Sequence, residues 1–176
     1  MTANPLAEPV ERRLVTMRRS VGQLGALGPV GRGRLDRDPA AGLVIERVLA
    51  LLAGLAFEIN CLVAAACGDT LRTPVAAAGA AARAGLIDER LAAALTPPDG
   101  PYHVQVQLYL DTEPESVAGV VSAAVACYRE YVGQVTRWTE AQSGDLKPAG
   151  VQFTAAPRSR PPPARQTSQH RPARAP

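Results

Sequence analysis

"GPYHVQVQLYLDTEPESV", Gly100 to Val117, decides whether this chain is all-helical or mixed. Val104, Val106, Leu108 and Leu110 alternate with His103, Gln105, Gln107 and Tyr109, the period-two pattern of a half-buried strand. The flanking sequence has a different rhythm. On the N-terminal side, "TPPDGP" (Thr96–Pro101) is a hard break. On the C-terminal side, "TEPESVAGVVSAAVACYREYVGQVTRWTEAQ" reads as an amphipathic helix. Thr112 or Glu113 begins it and Pro114 sits in its first turn. Val117, Val120, Val121, Ala124, Val125, Tyr128, Val132, Val135 and Trp138 form its apolar stripe.

Further upstream the helical period persists. A first helix runs from about Pro9 to Leu27, with Val10, Leu14, Met17, Val21, Leu24 and Leu27 on one stripe. Arg12, Arg13, Arg18 and Arg19 lie on its other faces and form a solvated basic surface. Gly28-Pro29 stops it, and "VGRGRLDRDP" reads as a loop. Asp38-Pro39 then supplies a cap and a first-turn proline for a second helix that reaches about Cys67. That helix is apolar nearly all round, so it is central or lies at an oligomer interface. Glu46 and Glu58 within it need partners if buried, and Arg47 is a candidate. Gly68-Asp69 ends the helix. Thr73-Pro74 caps a third, "TPVAAAGAAARAG", which Gly85 terminates, and "LIDERLAAAL" follows as a short fourth helix with Asp88 as its cap.

The composition suits a helical core built from small side chains. Of 176 residues, 47% are apolar but only seven are aromatic, so alanine, leucine and valine must do the packing. A domain of roughly 140 residues still buries about two thirds of its unfolded surface. The net charge of +3 is too mild to argue for nucleic-acid binding by itself. Its placement is more telling. Arg158, Arg160, Arg165, Arg171 and Arg174 crowd the last twenty residues, which hold no acid, and without them the chain is slightly acidic. The expected organisation is a flexible N-terminus over 1–8, a helical domain over 9–142, and a disordered Pro/Arg-rich tail over 143–176. The tail arginines are candidate nucleic-acid contacts, and a merely solubilising tail is the equal alternative.

Cys61, Cys67 and Cys127 have no metal-ligand spacing, and Cys61 and Cys67 point to different faces of one helix. Buried thiols in a reducing cytosol are the expectation. No apolar leader opens the chain, and Glu58 and Asn60 interrupt its longest apolar run, which favours a cytoplasmic protein with no membrane span. No phosphate-binding glycine loop, metal cluster or nucleophile–base spacing appears, so neither cofactor nor metal is expected.

The layout resembles the HepT-like proteins of the HEPN superfamily, toxin components of HepT/MNT toxin–antitoxin systems, over about residues 10 to 140. "ERVLALLAGLAFEIN" looks like that family's long second helix. "LRTPVAAAGAAARAGLIDERLAAAL" resembles its Pro-initiated third helix and the turn into the fourth. The opening stretch then falls on the family signature: Arg, Asn, two residues, Val, His, one residue, Tyr. Tyr102 stands at the arginine, His103 at the asparagine and Gln107 at the histidine, while Val106 and Tyr109 match. Glu113 occupies a customary acidic position, and Pro114-Glu115 continues as expected.

The resemblance implies an all-α, up-and-down bundle of four to five helices, with a helix from about Tyr102 to Leu110 in place of the strand. It also implies a homodimer burying faces of the second and last helices. The family's histidine and arginine serve metal-independent RNA cleavage, and both are changed here. Glutamine exchanges no proton at ordinary pH, and tyrosine carries no charge to offer a phosphate. Each loss is expected to cost on the order of a hundredfold or more. Tyr109 resembles the tyrosine that an MNT-type nucleotidyltransferase modifies with AMP. The expected function is therefore a catalytically degenerate homodimeric partner of such a nucleotidyltransferase. An active metal-independent ribonuclease, with His103 one turn from Gln107 as the relocated base, is the alternative. A helical scaffold that binds nucleic acid through its tail is the third.

Overall fold

The computed structural model describes residues 5–142, apart from 29 and 71. Seven helices and no strands occur among them: α1 (Ala7–Ala26), α2 (Arg32–Leu35), α3 (Pro39–Ala66), α4 (Pro74–Arg83), α5 (Glu89–Leu95), α6 (Tyr102–Thr112) and α7 (Ser116–Gln142). The all-helical expectation holds, with more helices than the four to five anticipated. The tail over 143–176, with its five arginines, lies outside the described residues.

The deciding stretch is helical over Tyr102–Thr112. Two residues along a helix are roughly 200° apart and four are roughly 40° apart. The alternating Val104, Val106, Leu108 and Leu110 are therefore two i,i+4 pairs on opposite faces. Val106 is completely buried and Leu110 packs on the core, while Val104 and Leu108 are exposed. A strand-like alternation thus arises from a helix that carries apolar residues on both sides. Local bonds support it: Gln105 Nε2 donates to the Gly100 carbonyl at 2.7 Å, and Thr112 Oγ1 to that of Leu108 at 2.9 Å.

Thr112 ends α6 rather than starting α7, and Pro114 falls in the break between them. A residue preceding proline is pushed out of the helical region, and Glu113 sits at φ −139°, ψ 71°. Its carboxylate accepts from Ser116 Oγ at 3.1 Å, at the start of α7. The "VGRGRLDRDP" segment is also more ordered than a loop. Arg32–Leu35 makes one helical turn that buries Leu35, and Arg34 donates to the Leu27 carbonyl.

The other boundaries follow local chemistry. Thr73 Oγ1 accepts from the Ala76 N–H at 3.3 Å, and Asp88 Oδ1 from the Leu91 N–H at 2.7 Å. Asp38 makes no such side-chain cap, and Pro39 alone starts α3. At the end of α4, Gly85 takes φ +71°, which lets the Leu86 N–H reach the Ala81 carbonyl and the Gly85 N–H that of Ala82. This is a Schellman closure, available cheaply only to glycine.

α1 packs on α7 and α3, and α3 also receives α4 and α6. α6 runs antiparallel to α3: Leu110 lies against Gly42 near the start of α3, whereas His103 lies beside Ala50–Phe57 further along. A Cβ on Gly42 would come within 2.6 Å of Leu110 Cδ2, so glycine is what lets the two helices approach there. The shared core joins Leu14, Met17, Ile45, Leu49, Leu52, Ile59, Tyr128 and Tyr131. Inside it Tyr131 Oη donates to Asn60 Oδ1 at 2.8 Å and to the Ala56 carbonyl at 3.2 Å, tying α7 to α3.

Charges on the first helix are mostly paired. Arg13 meets Glu58 of α3 at 2.7 Å, and Arg18 meets Glu11 at 2.6 Å and Thr136 of α7 at 2.9 Å. The partner of Glu58 is thus Arg13 and not Arg47, because Glu58 faces α1 at the surface. Glu46 is only half-buried. The cysteines are free, and only Cys127 is buried. Cys61 is intermediate and Cys67, at the C-cap of α3, is exposed.

Candidate functional site

The signature positions share one helix but not one site. Tyr102 turns inward. Its hydroxyl donates to the Ala94 carbonyl of α5 at 3.1 Å, and its ring meets Tyr128 of α7 edge-on, with centroids 6.1 Å apart. Burial, helped by the neighbouring Cys127 thiol, pushes its hydroxyl pKa up to about 12. Cys127 itself is pushed up to about 11, chiefly by burial. Neither group exchanges a proton near neutrality. Tyr109, two turns on from Tyr102, is half-buried and packs its ring on the core. Gln107 is exposed, on the outward side with Val104 and Leu108.

His103, one turn before Gln107, lines a cleft beside α3. The cleft holds about 300 Å³ and is bounded by α3, α4 and the turn from α5 into α6. Its rim is Gly54, Pro74 and Pro101, all exposed. Its floor is Ala56, Asn60, Ala78 and Tyr128, all buried. Phe57 and Leu95 form walls. Most lining groups are apolar; the polar ones are His103, Asn60, the Tyr128 hydroxyl and Thr96, whose hydroxyl is spent on the Ala92 carbonyl. The His103 Nδ1 is closed off from solvent and has no hydrogen-bond partner among the described residues.

Sequence reasoning missed Asn60 as part of a site. The available signal was its polarity within an apolar helix, but its partner Tyr131 lies 71 residues away. It also missed that α6 joins α3 in leaving large apolar residues uncovered; Val15 of α1 and Val75 of α4 are exposed singly elsewhere. Leu43 is 64% exposed, Val44 55%, Leu51 44%, Val104 44% and Leu108 60%. The apolar stripe of α7, by contrast, is spent on the core, where Val117, Val121, Tyr128, Val135 and Trp138 are buried. Among the described residues, α3 alone is long and apolar enough to cross a membrane by length and composition, and one of its faces belongs to the shared core. No group of three or more metal-ligating side chains occurs among the described residues.

Comparison with family models, with curated proteins and with solved structures finds no match to this chain.

Proposed function

We propose that this chain is a non-catalytic, HepT-like binding protein that works as a homodimer and engages an MNT-type nucleotidyltransferase in the cytoplasm. The observation that carries the reading is the uncovered apolar face of α3 and α6. Exposing five large apolar side chains on two neighbouring helices is unfavourable unless another surface covers them. A second copy of the chain is the covering surface proposed, through α3 and α6 rather than through the last helix. A lipid surface suits the same face less well. Arg47 is exposed on α3, and Glu58 is paired with Arg13 at its surface.

The state of the signature residues supports binding over cleavage. A ribonuclease needs a group that shuttles a proton near neutral pH and a cation for the phosphorane. Tyr102 has its hydroxyl committed to Ala94, Gln107 has no proton to exchange, and His103 lines an apolar cleft whose lining holds no arginine. Tyr109 is the position where AMP would be placed.

Sedimentation velocity of the purified chain, alone and with an MNT-type nucleotidyltransferase, tests the reading. The expected result is a dimer that Leu43→Asp/Leu108→Asp converts to monomer without unfolding, together with ATP-dependent adenylylation lost in Tyr109→Phe. A chain that stays monomeric at high micromolar concentration and forms no complex refutes it. So does metal-independent RNA cleavage by the wild type that disappears in His103→Ala, which would establish the ribonuclease instead.

A further inference from the structure

The cleft beside His103 requires neither a dimer nor a nucleotidyltransferase, and its chemistry points to an occupant of its own. We infer that it is a binding site for a compact, neutral, largely apolar molecule that carries a single hydroxyl group.

Size and lining set the apolar part. A dry cavity of about 150 Å³ accepts benzene, so one of about 300 Å³ suits a molecule of about ten non-hydrogen atoms. The walls from Phe57, Leu95, Ala78 and Pro101 offer contact area and no charge. An anion or a nucleotide phosphate would lose its hydration there and find no arginine or lysine among the lining residues. Gly54 sits at the rim, where an added Cβ would meet nothing within 4 Å.

The polar part is set by His103 and Asn60. An unpartnered buried nitrogen is costly, on the order of 1–3 kcal/mol, and such a group in a folded protein calls for a partner that arrives later. The imidazole is partly buried with its Nδ1 closed off, and its Cβ–Cγ torsion is broad. Rotation about that bond is the movement by which the nitrogen would meet an occupant of the cleft. A hydroxyl suits this position because it both donates and accepts, and so matches either tautomer of a neutral imidazole. Asn60 spends its side-chain oxygen on Tyr131 Oη, which leaves its amide nitrogen, with the Tyr128 hydroxyl, as the polar groups of the floor. The site thus combines an apolar container with convergent polar groups, the ordinary make-up of a small-molecule site.

The test uses a matched pair of probes, 4-ethylphenol and 4-ethyltoluene, which differ by hydroxyl against methyl. Each is titrated into the full chain while NMR follows the His103 ring and the methyls of Ala78 and Leu95. The phenol is expected to bind saturably, to shift those resonances and to alter the imidazole nitrogen shifts. The toluene is expected to bind about tenfold more weakly, the worth of one hydrogen bond. His103→Leu should remove the difference between the two probes. Gly54→Leu, at an exposed position with room for the side chain, should block both while leaving the helical circular dichroism unchanged.

Absence of saturable binding by either probe overturns the inference, and equal affinities for the wild type overturn the role given to His103. Shifts centred instead on the groove of Leu24, Val121 and Arg129 between α1 and α7 place the binding elsewhere and also overturn it.

Discussion

The hydrogen bond from Tyr131 to Asn60 ties α7 to α3 inside the core, and removing it has a calculable consequence. Tyr131→Phe deletes a donor shared between Asn60 Oδ1 at 2.8 Å and the Ala56 carbonyl at 3.2 Å. The carbonyl belongs to a residue inside α3, where the helical ladder supplies another donor, so its loss matters little. Asn60 is only 3% exposed, and its oxygen becomes a buried acceptor without a partner. The expected cost is about 1–2 kcal/mol. Asn60→Leu alone leaves the tyrosine hydroxyl its weaker bond to Ala56 and should cost about 0.5–1 kcal/mol. Combining the two makes both partners apolar, so the double variant should be more stable than the sum of the single losses by about 1 kcal/mol. Urea unfolding reports this through Trp138, the chain's single tryptophan, which is 8% exposed. With a slope of about 2 kcal/mol per molar urea, Tyr131→Phe should lower the midpoint by roughly 0.5–1 M. A midpoint unmoved within about 0.1 M, or strictly additive single and double losses, would refute the reasoning.

Three further outcomes follow from the same packing. Stability should fall on the alkaline side: the unfolded chain releases the Cys127 proton from about its ordinary 9.0 and the Tyr102 proton from about 10.0, while the fold holds them to about 11 and about 12. The contribution is complete below pH 9 and lost as pH rises through the folded values, and Cys127→Ala should flatten the slope between 9 and 11 in pH-dependent urea melts. On the acid side, Asp88 is held below its ordinary 3.8 by the Leu91 N–H and then by Gln134, so its contribution is present above that value and lost as pH falls through the folded one. Acid titration of Asp88→Asn should lack that step. Glu58→Gln, which breaks a partly exposed pair with Arg13, should cost about 0.5 kcal/mol at low salt and less at high salt, as measured by thermal melts at two ionic strengths.

How much of this was legible beforehand differs by element. The helix stops at Gly28 and Gly85, the caps at Thr73 and Asp88, and the buried stripe of α1 are local matters. They depend on residues within a turn or two, so periodicity and turn chemistry suffice to read them. Tyr102–Thr112 was not readable by period alone, because apolar residues on both faces of a helix imitate a strand. Its helical state followed from the resemblance in layout. The break at Pro114 was readable in principle from the restriction on the residue before proline, yet a first-turn proline fits the same letters. The placement of the α7 start needed the competing continuation of α6 through Thr112.

Outside Tyr102–Thr112, the composition and the spacing of apolar residues were enough to mark the longer helices and most of their ends, because helix formation is governed by short-range backbone and side-chain constraints. Which apolar faces are covered was decided only by tertiary structure. The sequence marks α3, α6 and α7 alike as apolar, but only the packing of α7 on α1 and α6 consumes its stripe, while Leu43, Val44, Leu51, Val104 and Leu108 are left outside. The same holds for the cleft. Asn60 and Tyr131 lie 71 residues apart in the chain, and His103 meets Phe57 and Pro74 around one cavity only because α6 lies antiparallel along α3. Burial and polar pairing at such distances are properties of the packed arrangement, to which no local window of sequence has access.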